Sequence, residues 1–245
     1  MYLELRTTPR GTDQLSPAEY IETILDSIQD FETNQTSMHT RLILSIDRRH
    51  DLETAESILR LAEKFRSKGV VGLDLCGDPT VRPNGEIAVF TPVFQAARRA
   101  GFGITVHFAE AEASGSREEL EVLLSWQPSR LGHVIWEDEE AKKEIARRCL
   151  CLELCLSCNV QAGMVKGGFE GHHFGAWRTV EGPRISLGVS NTMQLQENSL
   201  STKVAFTPLA TWAAYTLQYS LYSSSRKLPN LVQMQETFAN NVIDR

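Results

Sequence analysis

Apolar residues along this chain follow two rhythms in turn: short bursts of strand length, and longer stretches with an apolar residue every three or four positions. "YLELR", Tyr2–Arg6, predicts a strand. "SPAEYIETILDSIQDFE" predicts a helix, with Ser16 as N-cap and Pro17 at the first helical position. "RLILSID" predicts a strand and "LETAESILRLAEKFRSKG" a helix closed by Gly69. "VVGLDL" is strand-like, "VFTPVFQAARRAG" a helix ended by Gly101, and "FGITVHF" a strand. "SREELEVLLSWQ" reads as a helix and "RLGHVIW" as a short strand. "EDEEAKKEIARRC" is a helix with acids in its first turn and bases later, as the helix dipole prefers. "LCLELCLS" and "RISLG" read as two more strands. Strand–helix alternation with short links implies a parallel sheet, either open and doubly wound or closed into a barrel.

The polar residues choose between these. Asp47, Asp74, His107 and His133 each end a strand, and Cys158–Asn159 follow a fifth. Polar groups at successive strand C-termini are the pattern of a barrel's active face, whereas an open sheet gathers them at one switch point. No G-x-G-x-x-G motif is present. The expected fold is therefore α/β, a TIM-type (β/α)8 barrel. It is incomplete, because seven strands are visible and the first begins at the start of the chain.

His107-x-x-Glu110 is the sharpest local feature: a strand-end imidazole can bind a metal, and a carboxylate three residues on can carry a proton. Taken alone, the pair also fits a core histidine followed by surface glutamates. His133 stands at the next strand end, where neutral imidazole suits general-base work or orientation of a neighbour. In "DLCGD" the backbone of Gly77 can approach a ligand, and Asp74 and Asp78 can orient imidazoles. A glycine turn with solvated acids is the plain alternative. Cys149, Cys151, Cys155 and Cys158 lack the spacing of two pairs that fold back on each other, so buried small hydrophobes are expected rather than a zinc site. His172 and His173, in "GGFEGHHFGAW", are expected to line a pocket mouth or face solvent, and His39 and His50 to be incidental.

Composition narrows the class. The chain has 245 residues, 42% hydrophobic and 23% charged, with a net charge of −6 and a pI near 5.6, so a broad nucleic-acid or anionic-membrane surface is not expected. The N-terminus lacks the basic start and apolar run of a signal peptide, and no stretch is apolar for membrane-spanning length. Five cysteines in a chain this long suit a reducing cytoplasm. All 16 glycines lie at or before Gly188, and the following 57 residues hold 23 Ser, Thr, Asn and Gln. Two segments are expected: a partial barrel over residues 1–188, and a divergent polar tail over 189–245.

Taken in order, "YLELRTTPR", "VVGLDLCGDPT", "VHFAE", "RLGH", "LELCLSCN" and "HHFGAW" resemble the adenosine deaminase family. The "HHFG" and "LELC…SN" patterns are similar to its adenosine deaminase-like branch, which acts on N6-methylated AMP. The resemblance covers roughly residues 1–187. It implies a zinc aminohydrolase in which metal-activated water attacks C6 of a purine and expels ammonia or methylamine. It assigns His107 as a zinc ligand that also borders the substrate. Glu110 becomes the donor to purine N1, and His133 the group that orients and deprotonates the water. Gly77 becomes a backbone contact to the base, with Asp78 beside it. The implied partner is a purine nucleoside or nucleoside monophosphate, the implied cofactor one Zn2+, and the implied state a monomer.

The sequence departs from the family in two places. The family's His-x-His zinc ligands have no counterpart, and its paired aspartates are replaced by Ser190 and Asn191. The chain is accordingly read as a truncated or alternatively spliced form with impaired catalysis. Two other outcomes stay open: a purine-nucleotide-binding protein without turnover, and a chain that folds poorly because a barrel lacking a strand exposes two edges.

Overall fold

The structure is a computed structural model that describes residues 2–34, 38–81 and 85–187. The expected tail, with Ser190 and Asn191, lies outside the described residues. Seven strands, β1 (Tyr2–Thr7), β2 (His39–Asp47), β3 (Val70–Cys76), β4 (Gly103–Phe108), β5 (Arg130–His133), β6 (Cys151–Leu154) and β7 (Arg184–Leu187), form one sheet in chain order. Every neighbouring pair is parallel. Helices α1 (Pro17–Asn34), α2 (Leu52–Phe65), α3 (Thr91–Arg99), α4 (Arg117–Ser125) and α5 (Glu139–Arg147) fill the connections between β1 and β6. Two short helices, α6 (Leu156–Gln161) and α7 (Phe174–Trp177), lie between β6 and β7.

Local chemistry explains the helix starts. Ser16 Oγ accepts from the Glu19 N–H at 3.3 Å while the Glu19 carboxylate takes the Ser16 N–H at 2.8 Å, closing a capping box. Asp51, Ser116 and Asp138 likewise accept the third N–H of α2, α4 and α5. In α2 the buried residues Ala55, Ile58, Leu59, Ala62 and Phe65 recur at helical spacing and lay one stripe against the sheet.

Alternation along the strands then divides the molecule. Leu42, Leu44 and Ile46 of β2, Leu73 and Leu75 of β3, Ile104, Val106 and Phe108 of β4, Leu131 of β5, and Leu152 and Leu154 of β6 pack with the helices in one apolar cluster. Phe94 and Trp126 stack within it at 4.3 Å, and the Trp126 indole N–H donates to Thr91 Oγ1 at 2.9 Å. Burial of each large side chain there contributes about 1.5–3 kcal/mol.

The residues between them carry charge. Arg6 on β1 pairs with Glu153 on β6, and Arg130 on β5 pairs with Glu4 on β1. Contacts from the first strand to the fifth and sixth require a sheet curled around a concave interior. This is the incomplete TIM-type barrel that the sequence leads one to expect.

Three details differ from expectation. The strand expected over "RLGHVIW" ends at His133, because His133 and Val134 adopt φ of 66° and 52°, outside any strand. The strand expected over "LCLELCLS" ends at Leu154, and Cys155 caps α6, so Cys158 and Asn159 sit on a helix. Cys155 and Cys158 are buried as expected, but Cys149 is exposed and Cys151 half-buried. Among the described residues, no helix is long and apolar enough to cross a membrane.

Candidate active site

His107 occupies the second-to-last position of β4 and points into the concave interior. Its Nδ1 lies 2.8 Å from the Leu75 carbonyl and 3.2 Å from Asp74 Oδ1. A carbonyl oxygen only accepts, so Nδ1 carries the proton and Nε2 is left as a lone pair facing the site. Asp74 is fully buried and also accepts from Ser45 Oγ at 3.0 Å. Burial opposes charge on Asp74, yet His107, Arg6 and these hydrogen bonds hold its carboxyl below the ordinary value. The same pairing, against burial, raises the pKa of His107.

The chain kinks directly after β4, with Ala109 at φ 49°, and this kink directs Glu110 inward. Glu110 Oε1 lies 3.3 Å from His133 Nε2. The His133 ring is held on its other side, where Nδ1 lies 2.9 Å from Asn159 Oδ1. Burial lowers the pKa of His133; Glu110 opposes that shift and His107 adds to it. The rings of His107 and His133 are 5.1 Å apart. One ligand atom from each of His107, Glu110 and His133 falls within 4.8 Å of the others, the one such group of three among the described residues.

His107 is placed to donate to a divalent metal. His107 presents Nε2 because Nδ1 is committed to Leu75 and Asp74, the arrangement that orients a metal-binding imidazole. Carboxylate and a second imidazole stand next to it.

The remaining expected residues are held by contacts of their own. Gly77 has φ 98°, and a Cβ at that position would lie 2.5 Å from Asp47 Oδ1, so both the backbone conformation and the space demand glycine. Asp78 is exposed, and its Oδ1 accepts from the N–H and hydroxyl of Thr80 at 2.8 and 2.7 Å. His39 is exposed at the start of β2, while the half-buried His50 accepts the Asp47 N–H through Nδ1 at 3.2 Å. His172 and His173 do not face solvent. His172 is buried, the two rings stack at 4.1 Å, and His173 Nε2 lies 2.6 Å from the His133 carbonyl.

Sequence reasoning missed the supports beneath the three central groups. Glu153 accepts from Thr105 Oγ1 at 2.9 Å and from Arg6, and lies 3.1 Å from Arg130. Burial opposes its charge, but Arg6 and Arg130 hold its pKa below the usual carboxylate range. Glu4 and Arg6 at alternate positions of "YLELR", and Glu153 within the apolar "LCLEL", were the available signal. Arg48, following β2, donates to the His107 carbonyl at 3.1 Å and to Glu119 of α4 at 2.5 Å, with both ends of that ion pair buried. No local pattern links residues 71 apart.

A curled parallel sheet with imidazole and carboxylate groups at the carboxyl ends of adjacent strands defines an incomplete TIM-type barrel of the amidohydrolase fold. Residues 1–172 match the family model for adenosine deaminase, and the chain belongs to that family of C–N bond hydrolases. It is 33% identical over 214 residues to an N6-methyl-AMP deaminase from Bos taurus, covering 81% of this chain and 59% of the relative. The chain therefore spans less than two thirds of that relative's length. The apo structure of an N6-methyl-AMP deaminase from Arabidopsis thaliana superposes with a TM-score of 0.73 at 26% identity, covering 100% of this chain and 74% of that one. A structure of arabidopsis ADAL complexed with IMP gives a TM-score of 0.72 at 27% identity, covering 98% of this chain and 72% of that one.

Proposed function

We propose that this chain acts on a purine nucleoside monophosphate in the concave interior, as an N6-methyl-AMP deaminase-type aminohydrolase that releases IMP. The convergence of His107, Glu110 and His133 at neighbouring strand ends carries the reading. The relatives named N6-methyl-AMP deaminase and the IMP complex of a similar structure support the choice of substrate.

His107 Nε2 would hold a zinc ion, which would supply the Lewis acidity that makes water nucleophilic near neutral pH. The chain's own groups do the remaining work. Glu110 delivers a proton to the purine ring nitrogen N1 as C6 is attacked. His133, kept neutral by burial, accepts the proton of the attacking water at Nε2 and passes it to the methylamine that departs as the C6–N bond breaks. Asp74 and the Leu75 carbonyl hold His107 in a single tautomer.

A second reading, a nucleotide-binding protein without turnover, is favoured by Ser190 and Asn191 standing where the family resemblance expects aspartates. One experiment separates the two. Purified chain is titrated with IMP by calorimetry and assayed with N6-methyl-AMP in zinc-supplemented buffer. Turnover that Glu110→Gln lowers about a hundredfold or more, with IMP still bound, supports the deaminase. Binding without turnover supports the second reading, and absence of both overturns the proposal.

A further inference from the structure

We propose that His173 is a positioning residue for His133: its ring N–H holds the His133 carbonyl, and with it the turn that presents the His133 imidazole to Glu110. The functional meaning rests on His133 being a working group of the site, as proposed above.

The turn needs holding. His133 has φ 66° and Val134 φ 52°. Positive φ is uncommon away from glycine, and for a β-branched residue such as Val134 it is a true outlier. Backbone of this kind persists only where its surroundings enforce it. On the N–H side they do. Val134 N donates to the Phe108 carbonyl at 3.0 Å and to Gly132 at 2.9 Å, while Ile135 N and Trp136 N both donate to the Ala109 carbonyl, at 3.0 and 2.9 Å. The carbonyl side lacks this support from the sheet, because the β5–β6 register ends with Gly132 opposite Glu153. His173 takes that place, with Nε2 2.6 Å from the His133 oxygen.

The chemistry fixes the tautomer. A carbonyl oxygen can only accept, so His173 carries its proton on Nε2, and its buried Nδ1 is left without a hydrogen-bond partner. His173 is itself held in orientation. Its ring stacks on His172 at 4.1 Å and 24°, and His172 Nδ1 accepts the Phe174 N–H at 3.0 Å. The buried Trp177 anchors α7, the helix that both histidines precede. The side-chain contacts of His133 with Asn159 and Glu110 thus act on a ring whose backbone is clamped from the β6–β7 connection.

The test uses the full chain and three readouts: long-range proton–nitrogen spectra of the imidazoles at neutral pH, IMP affinity and melting temperature. In the unaltered chain, His173 is expected as the Nε2–H tautomer. His173→Phe keeps a ring for the stack but removes the donor; it should shift the His133 ring signals and weaken IMP binding about tenfold, the scale of one hydrogen bond to a buried group. His173→Gln offers an amide N–H to the same carbonyl and should restore most of both.

An Nδ1–H tautomer at His173 overturns the proposal. So does a His173→Phe variant with unchanged His133 signals, or a melting-temperature loss shared equally by Phe and Gln without recovery of the His133 signals by Gln. If the unaltered chain binds no IMP, the functional reading of the site fails. The tautomer and His133 signals still decide the role of His173.

Discussion

The two faces of the sheet are built from adjacent residues and have opposite chemistry. On the convex side, Leu73, Leu75, Ile104, Val106, Leu152 and Leu154 bury themselves against helices in one apolar cluster. On the concave side, the intervening Asp74, Thr105, His107 and Glu153 meet Arg6 and Arg130 in a network of charges and hydrogen bonds. The convex layer is tolerant in kind, since any well-packed hydrophobe of the right size serves. The concave layer is not, because each buried charge is stable only with its partner in place. Folding energy and site geometry are therefore held by different residues one position apart.

The largest expected effect attacks a buried charge. Arg48→Met leaves Glu119 without its guanidinium partner and frees the His107 carbonyl, and should cost about 3–5 kcal/mol in urea unfolding. A loss below about 1 kcal/mol would break the claim that a buried charge is stable only with its partner in place. Next, Leu44→Ala in the convex cluster should cost about 3 kcal/mol while leaving the ring signals of His107 and His133 in place. Movement of those signals would show that the layers are not independent.

The smallest of the three effects is a pH dependence. Burial, reinforced by His173 and His133, lowers the pKa of His172 from 6.5 to about 3. The folded chain thus binds fewer protons than the unfolded one across that interval. The stability due to a neutral His172 is complete above 6.5 and is lost as the pH falls toward 3. At pH 5 the loss should be about 2 kcal/mol, and His172→Phe should flatten that part of the profile in thermal melts at successive pH values.

The strands, the helices and the parallel architecture were legible in the sequence. "GITVHF" and "LETAESILRLAEKF" carry periods of two and nearly four, and the N-cap Ser16 is a chemical signal confined to a few residues. His107, Glu110 and His133 could be picked out as well, since strand ends in a parallel barrel share one face. Other features were invisible. The pairing of Arg6 with Glu153 spans 147 residues, and that of Arg48 with Glu119 spans 71. The His172–His173 pair read as a pocket mouth or a solvated loop, and nothing local pointed to the carbonyl of His133. The end of β5 also moved, because a left-handed turn at His133 and Val134 is sustained by bonds from outside the segment.

By itself, then, the sequence determined the seven strands, the five long helices and most of the strand ends on which chemistry would stand. Hydrophobic periodicity and helix caps act over a few residues and can be read there. Only the tertiary structure decided which charges meet inside the curl and which loop clamps the His133 turn. A buried charge or a strained carbonyl is satisfied by whichever group the closed chain places within about 3 Å of it, and local sequence carries no record of that distance.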